Sequence, residues 1–293
     1  MKQQIKILCA IALLLISSNV QSQDTAPSSP KSNNSLLWEI TGNGLAKPSY
    51  LFGTYHMLCK DQFVIKDKVK QALAKTDAIV TEINFLDSAE MAAMQRMLLS
   101  KKKMSETLTG AKQQELDQAL RSIGLNLKQA DNFSLTLLYS LASFKAINCA
   151  PADMKNIDVE LMKMAKAGAK SVAAFETISG QHSFIENAYS LDDVILQMKN
   201  AEEMKKLYAQ LAAAYMSEDI VLLDKLLKHP AFMNEAQEKL MLTDRNNDWA
   251  REMPAMMKNK SRFFAVGAGH LWGKEGVINL LVQKGYTLKP VFQ

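Results

Sequence analysis

The chain has 293 residues, of which 48% are apolar and 22% charged, and its net charge is +5 at neutral pH. This composition is typical of a folded globular protein, and it excludes a disordered chain, a collagen and a disulfide-dense miniprotein. The surplus of basic residues is too small and too dispersed for a nucleic-acid binder, so we expect no nucleic-acid partner.

The first 22 residues have the three parts of an export signal. Lys2 and Lys6 form a positive region, residues 7–16 are an uninterrupted apolar run, and Ser22 ends a cleavage site of small residues. The apolar run is about half as long as the roughly 20 residues that a membrane-spanning helix needs. The sequence therefore predicts an exported protein, periplasmic or secreted, with no stable membrane span after cleavage near Ser22.

Residues 23–35 are rich in Pro, Ser and Asn and offer nothing that could form a core, so they are predicted to be a flexible leader. A single domain is expected over residues 36–293. Cys9 lies in the signal, which leaves Cys59 and Cys149 as an even number of cysteines in an oxidising compartment. Parity and compartment favour a Cys59–Cys149 disulfide over two buried thiols.

The first quarter of the domain reads as short strands. Strands are predicted at residues 36–40 and 49–53, on either side of the Gly42-Asn43-Gly44 turn. A helix at 66–75 and a strand at 77–85 follow, because the apolar residues change from helical spacing to a β-prone run. Strand, helix and strand in this order predict a crossover with parallel pairing.

The middle of the chain is predominantly helical by its apolar spacing, and the end returns to strands. Helices are predicted through residues 88–165 and again through 191–257, with a strand at 170–175 between them. The C-terminal segments are a strand at 262–266, a helix at 273–284 and a strand at 286–292. The fold class is therefore α/β, with a core sheet and a large helical insertion.

Two of the four histidines stand three residues after a glycine that closes an aromatic, β-prone run. They are His56 in LFGTYH and His270 in FFAVGAGH. We expect each glycine to take a positive φ and turn the chain sharply, which holds the histidine at the mouth of the sheet. In open α/β sheets, ligands bind beyond this edge, where the carboxyl ends of the strands lie.

Two glutamates occupy equivalent places. Glu82 lies within or at the end of DAIVTEINF, and Glu176 directly follows KSVAAF. A carboxylate there is costly to bury unless it is paired, hydrogen-bonded or bound to a metal, although a satisfied polar group at a strand end is the alternative for each residue alone. Two imidazoles and a carboxylate suit a divalent Zn, Mn or Co ion with an open coordination position.

The segments YLFGTYHM and FFAVGAGHLWGKEGVINLLVQKGY resemble the paired G-x-x-H motifs of the TraB/GumN family, which includes the Tiki proteases. The acidic strand at Glu82 and the segments FETISGQ and DRNNDWA match in the same order. The resemblance implies an EreA/ChaN-like α/β fold with an active site at the strand ends. By similarity to the Tiki branch, it also implies metal-dependent peptide hydrolysis, with His56, His270 and Glu82 as the metal site.

The resulting hypothesis is an exported metallopeptidase that acts on a peptide or protein substrate. In it a Mn, Co or Zn ion activates water, Glu82 or Glu176 transfers the proton, and Arg245 stabilises developing negative charge or binds a substrate carboxylate. A metal-free esterase or lactone hydrolase with His56 as its base is one alternative. The other is a non-enzymatic protein that sequesters a peptide or polymer. The second histidine favours the metal, because only ligation clearly requires it.

Overall fold

Strand-forming segments from the two ends of the chain meet in one sheet. The computed structural model describes residues 34–292, so the predicted export signal and residues 23–33 of the predicted leader lie outside the described residues. Within 34–292 the strands are Leu37–Gly42 (β1), Ser49–Thr54 (β2), Leu58–Cys59 (β3), Ala78–Thr81 (β4), Met154–Lys155 (β5), Ser171–Ala174 (β6), Arg262–Gly267 (β7) and Tyr286–Pro290 (β8).

Six of these strands form a mixed sheet in the order β6-β4-β7-β2-β1-β8. Strands β6, β4, β7 and β2 run parallel, whereas β1 pairs antiparallel with both β2 and β8. The short strands β3 and β5 pair with each other outside this sheet. Because four neighbouring strands are parallel, the residues that follow them all emerge at one edge of the sheet.

Helices connect the parallel strands and fill the middle of the chain. Those among the described residues are Asp67–Lys75 (α1), Ser88–Met97 (α2), Met104–Thr107 (α3), Gly110–Ser122 (α4), Leu127–Ala130 (α5), Leu135–Ala146 (α6), Ile157–Ala167 (α7), Ile178–Ala188 (α8), Leu191–Lys199 (α9), Ala201–Met216 (α10), Ile220–Leu227 (α11), Glu235–Glu238 (α12), Asp244–Met257 (α13) and Val277–Gln283 (α14). The 3₁₀ turns Pro151–Asp153 and Ala268–His270 and the π-helical turn Lys239–Thr243 complete the helical segments. Side-chain caps at Asn156 and Thr177 fix where α7 and α8 begin.

The predicted α/β class with a core sheet and a helical middle is confirmed, and the sheet is mostly parallel. The EreA/ChaN-like fold stays a prediction. The pairing of strands around the first crossover was predicted wrongly, because β2 and β4 are parallel but do not touch. Strand β7, from the far end of the chain, lies between them and pairs with both. Strand β4 also ends at Thr81, earlier than predicted, where the Thr81 hydroxyl donates to the Ile83 carbonyl at 2.8 Å.

The sheet and the helical insertion have separate apolar cores. Buried Leu37, Phe263 and Phe264 of the sheet belong to one cluster, which helices α1, α7, α10 and α13 also join. Leu120 of α4 and Leu138 of α6 belong to another, completed by residues of α9. The helical insertion is therefore stabilised by burial of its own apolar residues, so it can form a side of a cleft at the sheet edge.

A buried ion pair joins the two ends of the described chain. Lys68 Nζ lies 2.5 Å from Glu218 Oε2 and donates to Ser35 Oγ and the Val291 carbonyl at 3.1 and 2.8 Å. The pairing with Glu218 offsets the loss of solvation that burial imposes on the ammonium group. Ser35, the last residue of the predicted leader, is fully buried, so the packed chain begins before Leu36.

Cys59 and Cys149 form a disulfide, which confirms the predicted pairing. Their Cα atoms are 6.0 Å apart, and 90 positions of sequence separate them. The bridge joins β3, which follows His56, to the segment after α6. Among residues 34–292, no helix is both long enough and apolar enough to cross a membrane.

We expect Cys149→Ser to lower the free energy of unfolding by about 4 kcal/mol, because the disulfide no longer closes a long loop and the unfolded chain gains conformational entropy. Urea unfolding followed by circular dichroism measures the difference from the wild type. The double variant Cys59→Ser/Cys149→Ser serves as the control for a stray free thiol and should match the single variant. A Cys149→Ser protein as stable as the wild type would contradict the prediction.

Candidate functional site

Four parallel strands end at the same edge of the sheet, and a predicted site residue follows each of them. His56 follows β2, Glu82 follows β4, Glu176 follows β6 and His270 follows β7. The remaining predicted residue, Arg245, lies in the first turn of α13 and reaches the same edge. All five predicted residues therefore come together, and the parallel order of the strands is the reason.

The last residue of β7, Gly267, leaves a space that three of these side chains line. A Cβ at Gly267 would lie 3.2 Å from Glu82 Oε1, 3.4 Å from His56 Nε2 and 3.5 Å from His270 Cδ2. Glu82 Oε1 and His270 Nε2 are 3.7 Å apart. Any side chain at position 267 would fill this space, which the glycine leaves open.

The glycines of the two G-x-x-H motifs let neighbouring groups lie closer than a side chain would allow. The predicted positive φ is wrong for both. Gly267 has a φ of −52°, and Gly53 is not among the glycines with positive φ. A Cβ at Gly53 would lie 3.0 Å from both Ala268 Cα and Leu271 Cδ2. Gly53 therefore lets β2 approach the turn that carries His270, because no side chain separates the two backbones.

His270 is buried and held as one neutral tautomer. Its Nδ1 lies 2.7 Å from Asn246 Oδ1, and its Nε2 lies 3.2 Å from Arg245 Nη1. A guanidinium only donates hydrogen bonds, so Nε2 accepts and Nδ1 donates to Asn246. Burial lowers the pKa of His270, and the positive charge of Arg245 lowers it further, to about 3. The imidazole is therefore neutral at pH 7.

His56 lies at the open side of the site, with 57% of its side chain exposed. Its Nδ1 is 3.0 Å from Asp158 Oδ2, and Thr54 Oγ1 donates to Oδ1 of the same buried carboxylate at 2.7 Å. Loss of solvation in the cleft would by itself lower the pKa of His56, but the carboxylate of Asp158 raises it to about 9. In this arrangement the imidazole carries a proton at pH 7.

Arg245 is buried and uses all five of its N–H donors within the protein. Nε and Nη2 bind the two oxygens of Glu176 in a bidentate pair, at 2.8 and 2.9 Å. Nη2 also donates to Glu82 Oε2 at 2.5 Å. Nη1 donates to the Met241 carbonyl at 2.9 Å and to His270 Nε2 at 3.2 Å. With no donor left, Arg245 positions the two carboxylates and is not available for a substrate carboxylate.

Glu82 is an ionised carboxylate with fixed orientation. Its Oε1 accepts the Gly267 N–H at 2.7 Å, and its Oε2 accepts from Arg245 and from the Gln181 amide, the latter at 3.0 Å. Burial by itself would raise the pKa of Glu82, but the positive charge of Arg245 holds it well below its usual range. The Oε1 side of Glu82 faces the space beside Gly267.

The chemistry of the donor set fits a divalent transition metal, because imidazole nitrogens and carboxylate oxygens are ligands that Zn, Mn and Co accept. In both imidazoles an oxygen acceptor holds Nδ1, as it does in histidines that bind a metal through Nε2. Within residues 34–292, however, no group of three or more His, Cys, Asp or Glu side chains is arranged to hold an ion. At this site Arg245 occupies His270 Nε2 and Glu82 Oε2, so an ion would fit only after the guanidinium moves away from His270.

Sequence reasoning missed Asp158, the partner of His56. The residue stands in the first turn of α7, two positions after the Asn156 cap. An acidic residue there has an ordinary explanation, since it stabilises the positive end of the helix dipole. Its burial at 2% exposure is the unusual feature, and the sequence alone does not reveal it.

The sequence profile of the TraB/PrgY/gumN family matches residues 36–290, which include every site residue above. The chain is similar to Metalloprotease TIKI2 of Danio rerio, at 24% identity over 90% of this chain and 62% of the relative. It is also similar to Metalloprotease TIKI1 of Danio rerio, at 23% identity over 87% of this chain and 63% of the relative. The chain thus spans less than two thirds of the length of these relatives. No solved structure matches the chain.

We expect an added methyl group to affect different properties at the two motif glycines, stability at Gly53 and ion binding at Gly267. Gly53→Ala should lower the free energy of unfolding by about 1–3 kcal/mol, because its Cβ meets backbone that cannot easily move. Gly267→Ala should stay folded, since a φ of −52° suits alanine and its Cβ meets only side chains, but it should fill the site. Thermal unfolding and binding of Mn²⁺ or Zn²⁺ measure the two effects. Equal stability of the two variants would be evidence against these separate roles.

We expect Asp158→Asn to bring the pKa of His56 from about 9 back towards 6.5, because the carboxylate is what raises it. Titration of the imidazole proton signals by NMR, in chelator-treated protein, measures the change. Because the pKa of His56 is higher in the folded than in the unfolded protein, its pairing with Asp158 stabilises the fold fully below about pH 6.5. This stabilisation is lost as the pH rises through the folded-state pKa of about 9. Asp248→Asn, an exposed aspartate paired with Arg251, is the control and should leave His56 unchanged.

Proposed function

The chain belongs to the TraB/PrgY/gumN family, and from this membership and the site geometry we propose that it is an exported metal-dependent peptidase. One observation carries the proposal. Two imidazoles with fixed Nδ1 atoms line, together with Glu82, the space that Gly267 leaves open. Export is supported by the signal-like sequence of residues 1–22 and by the disulfide. The names of the two similar proteins of Danio rerio, both metalloproteases, support the peptide bond as the target.

In this proposal His56, His270 and Glu82 hold a Mn, Co or Zn ion. When bound, such an ion supplies Lewis acidity and lowers the pKa of a coordinated water towards neutrality. Asp158 and Asn246 hold the two imidazoles by Nδ1, so that Nε2 would be the ligating atom of each. In His270 this atom accepts from Arg245 Nη1, so the guanidinium would have to move away before an ion binds. His270 is already neutral, whereas His56 must lose its proton before it can ligate.

The two glutamates have different surroundings and therefore different proposed roles. Glu82 Oε1 faces the open space beside the imidazoles, so Glu82 is the carboxylate placed to accept a proton or to bind a metal ion. Both oxygens of Glu176 are bound by Arg245, and they also accept from Trp249 Nε1 and Gln181 Nε2 at 3.0 and 2.9 Å. Glu176 and Arg245 are therefore positioning residues, which hold Glu82 in place.

The His56–Asp158 pair favours a second candidate, a metal-free esterase or lactone hydrolase. A histidine with its Nδ1 on a buried carboxylate is the arrangement of a general base or acid. Because Asp158 raises the pKa of His56 to about 9, such a base becomes active only as the pH rises through that range. The two candidates thus differ in pH profile as well as in metal dependence.

We expect cleavage of a mixed peptide library by the purified chain after dialysis against Mn²⁺, Co²⁺ or Zn²⁺, and its loss after exhaustive chelation. His56→Ala, His270→Ala and Glu82→Gln should each reduce kcat/KM by roughly 10²- to 10⁴-fold. Asp158→Asn and Asn246→Leu should cost roughly 10- to 100-fold, because they only orient the ligands. Mass spectrometry of the products and elemental analysis of each variant provide the measurements.

His182→Ala and His229→Ala are the matched controls, since these two histidines lie outside the site and should leave activity and metal content unchanged. Chelation and His270→Ala should not be additive, because both remove the same unit. Activity on esters that survives chelation, needs His56 and rises up to pH 9 would support the metal-free hydrolase instead. Metal-loaded protein without cleavage of any peptide would refute the peptidase.

A further inference from the structure

A pocket of about 340 Å³ opens from the candidate site into the helical insertion. Its wall at the sheet edge contains His56, Arg245 and His270. The remainder is aromatic and aliphatic and comes mainly from α6, α10 and α11 and the segments beside them. Its large side chains include Tyr139, Phe144, Tyr189, Leu223, Leu227 and Phe232.

Away from the sheet edge, the described lining of the pocket has no charged side chain. Among residues 34–292 no Asp, Glu or Lys lines it, Arg245 has all of its donors engaged within the protein, and His56 is paired with Asp158. A charged substrate group placed among the apolar side chains would lose its hydration without gaining a partner, whereas an apolar group would gain free energy by leaving water.

We propose that this pocket binds a large neutral side chain, aliphatic or aromatic, that adjoins the scissile bond of a peptide substrate. The proposal rests on the proposed function, because it names the substrate class of the same site. A cavity of roughly 150 Å³ accommodates a benzene ring. The pocket therefore has room for one aromatic side chain together with part of the adjoining backbone.

Polar atoms among the apolar ones favour a peptide over an acyl chain. The phenolic oxygens of Tyr139 and Tyr189 are 3.5 Å apart, and Tyr189 Oη is 3.5 Å from the Phe232 carbonyl. These distances are at the outer limit of hydrogen bonding, so the groups keep capacity for a peptide N–H or C=O. Burial raises the pKa of both phenols, which keeps them neutral donors.

The test closes the pocket from a position on α6. Ser140 lines the pocket, and its hydroxyl donates only within its own helix, to the Thr136 carbonyl at 2.8 Å. Ser140→Trp should fill the pocket, and Phe144→Ala should remove part of its wall. Leu196→Ala is the matched control, because Leu196 is also a large exposed apolar residue but lies on α9 outside the lining.

The substrates are quenched fluorescent peptides that differ only in one residue beside the cleaved bond, which is Phe, Leu, Ala or Glu. We expect kcat/KM of the metal-loaded wild type to be roughly 10- to 100-fold higher for Phe and Leu than for Ala, and lowest for Glu. Ser140→Trp should abolish this preference while it still cleaves the Ala peptide, and Phe144→Ala should weaken the preference. Leu196→Ala should match the wild type. Cleavage by the wild type without preference would overturn the pocket's role but leave the peptidase intact.

Calorimetric binding of the blocked peptides N-acetyl-Ala-Phe-Ala-amide and N-acetyl-Ala-Glu-Ala-amide tests the pocket without cleavage. Selective binding of the Phe peptide that is lost in Ser140→Trp supports the pocket even if no peptide is hydrolysed, in which case only the peptidase fails. Equal binding of both peptides, or tighter binding of decanoate than of the Phe peptide, would overturn the proposal. Thermal unfolding of each variant establishes that it is folded.

Discussion

The ion pairs of the Arg245 guanidinium with buried Glu82 and nearly buried Glu176 are the interactions on which the site depends. The guanidinium joins Glu82, which follows β4, and Glu176, which follows β6, to the first turn of α13. Without it two carboxylates would face each other in a poorly solvated place, and leaving one such charge uncompensated is strongly destabilising. The π-helical turn before α13 presents the Met241 carbonyl to the same guanidinium, so the backbone also takes part in fixing it.

The parallel order of the strands explains why residues far apart in sequence share this site. Strand β7 lies at the centre, between β4 and β2, and its last residue, Gly267, faces the ends of both neighbours. The two motif glycines act differently there. Gly53 allows two backbones to approach, whereas Gly267 leaves a space between Glu82, His56 and His270. The glycine of the first G-x-x-H motif thus sets the distance between β2 and the turn that carries His270. The glycine of the second sets the space between the strand end and the two histidines.

The sequence was sufficient to predict the residues that break a local pattern. His56, His270, Glu82 and Glu176 are polar groups at the ends of apolar strands, and each of them lies at the predicted edge. Asp158 was missed because an acidic residue at a helix start breaks no pattern. The position of β7 between β2 and β4 was also missed, because pairing between distant strands leaves no trace in local spacing.

Charge balance connects Arg245 with the proposed metal. The buried group of Glu82, Glu176 and Arg245 carries one more negative charge than positive, and a neutral His270 does not compensate it. The proton on His56 is already matched by Asp158. The site therefore keeps an excess negative charge beside two imidazoles, which favours a cation in the space next to Gly267. Arg245 lies against the same donors, so its guanidinium and a bound cation compete for His270 and Glu82.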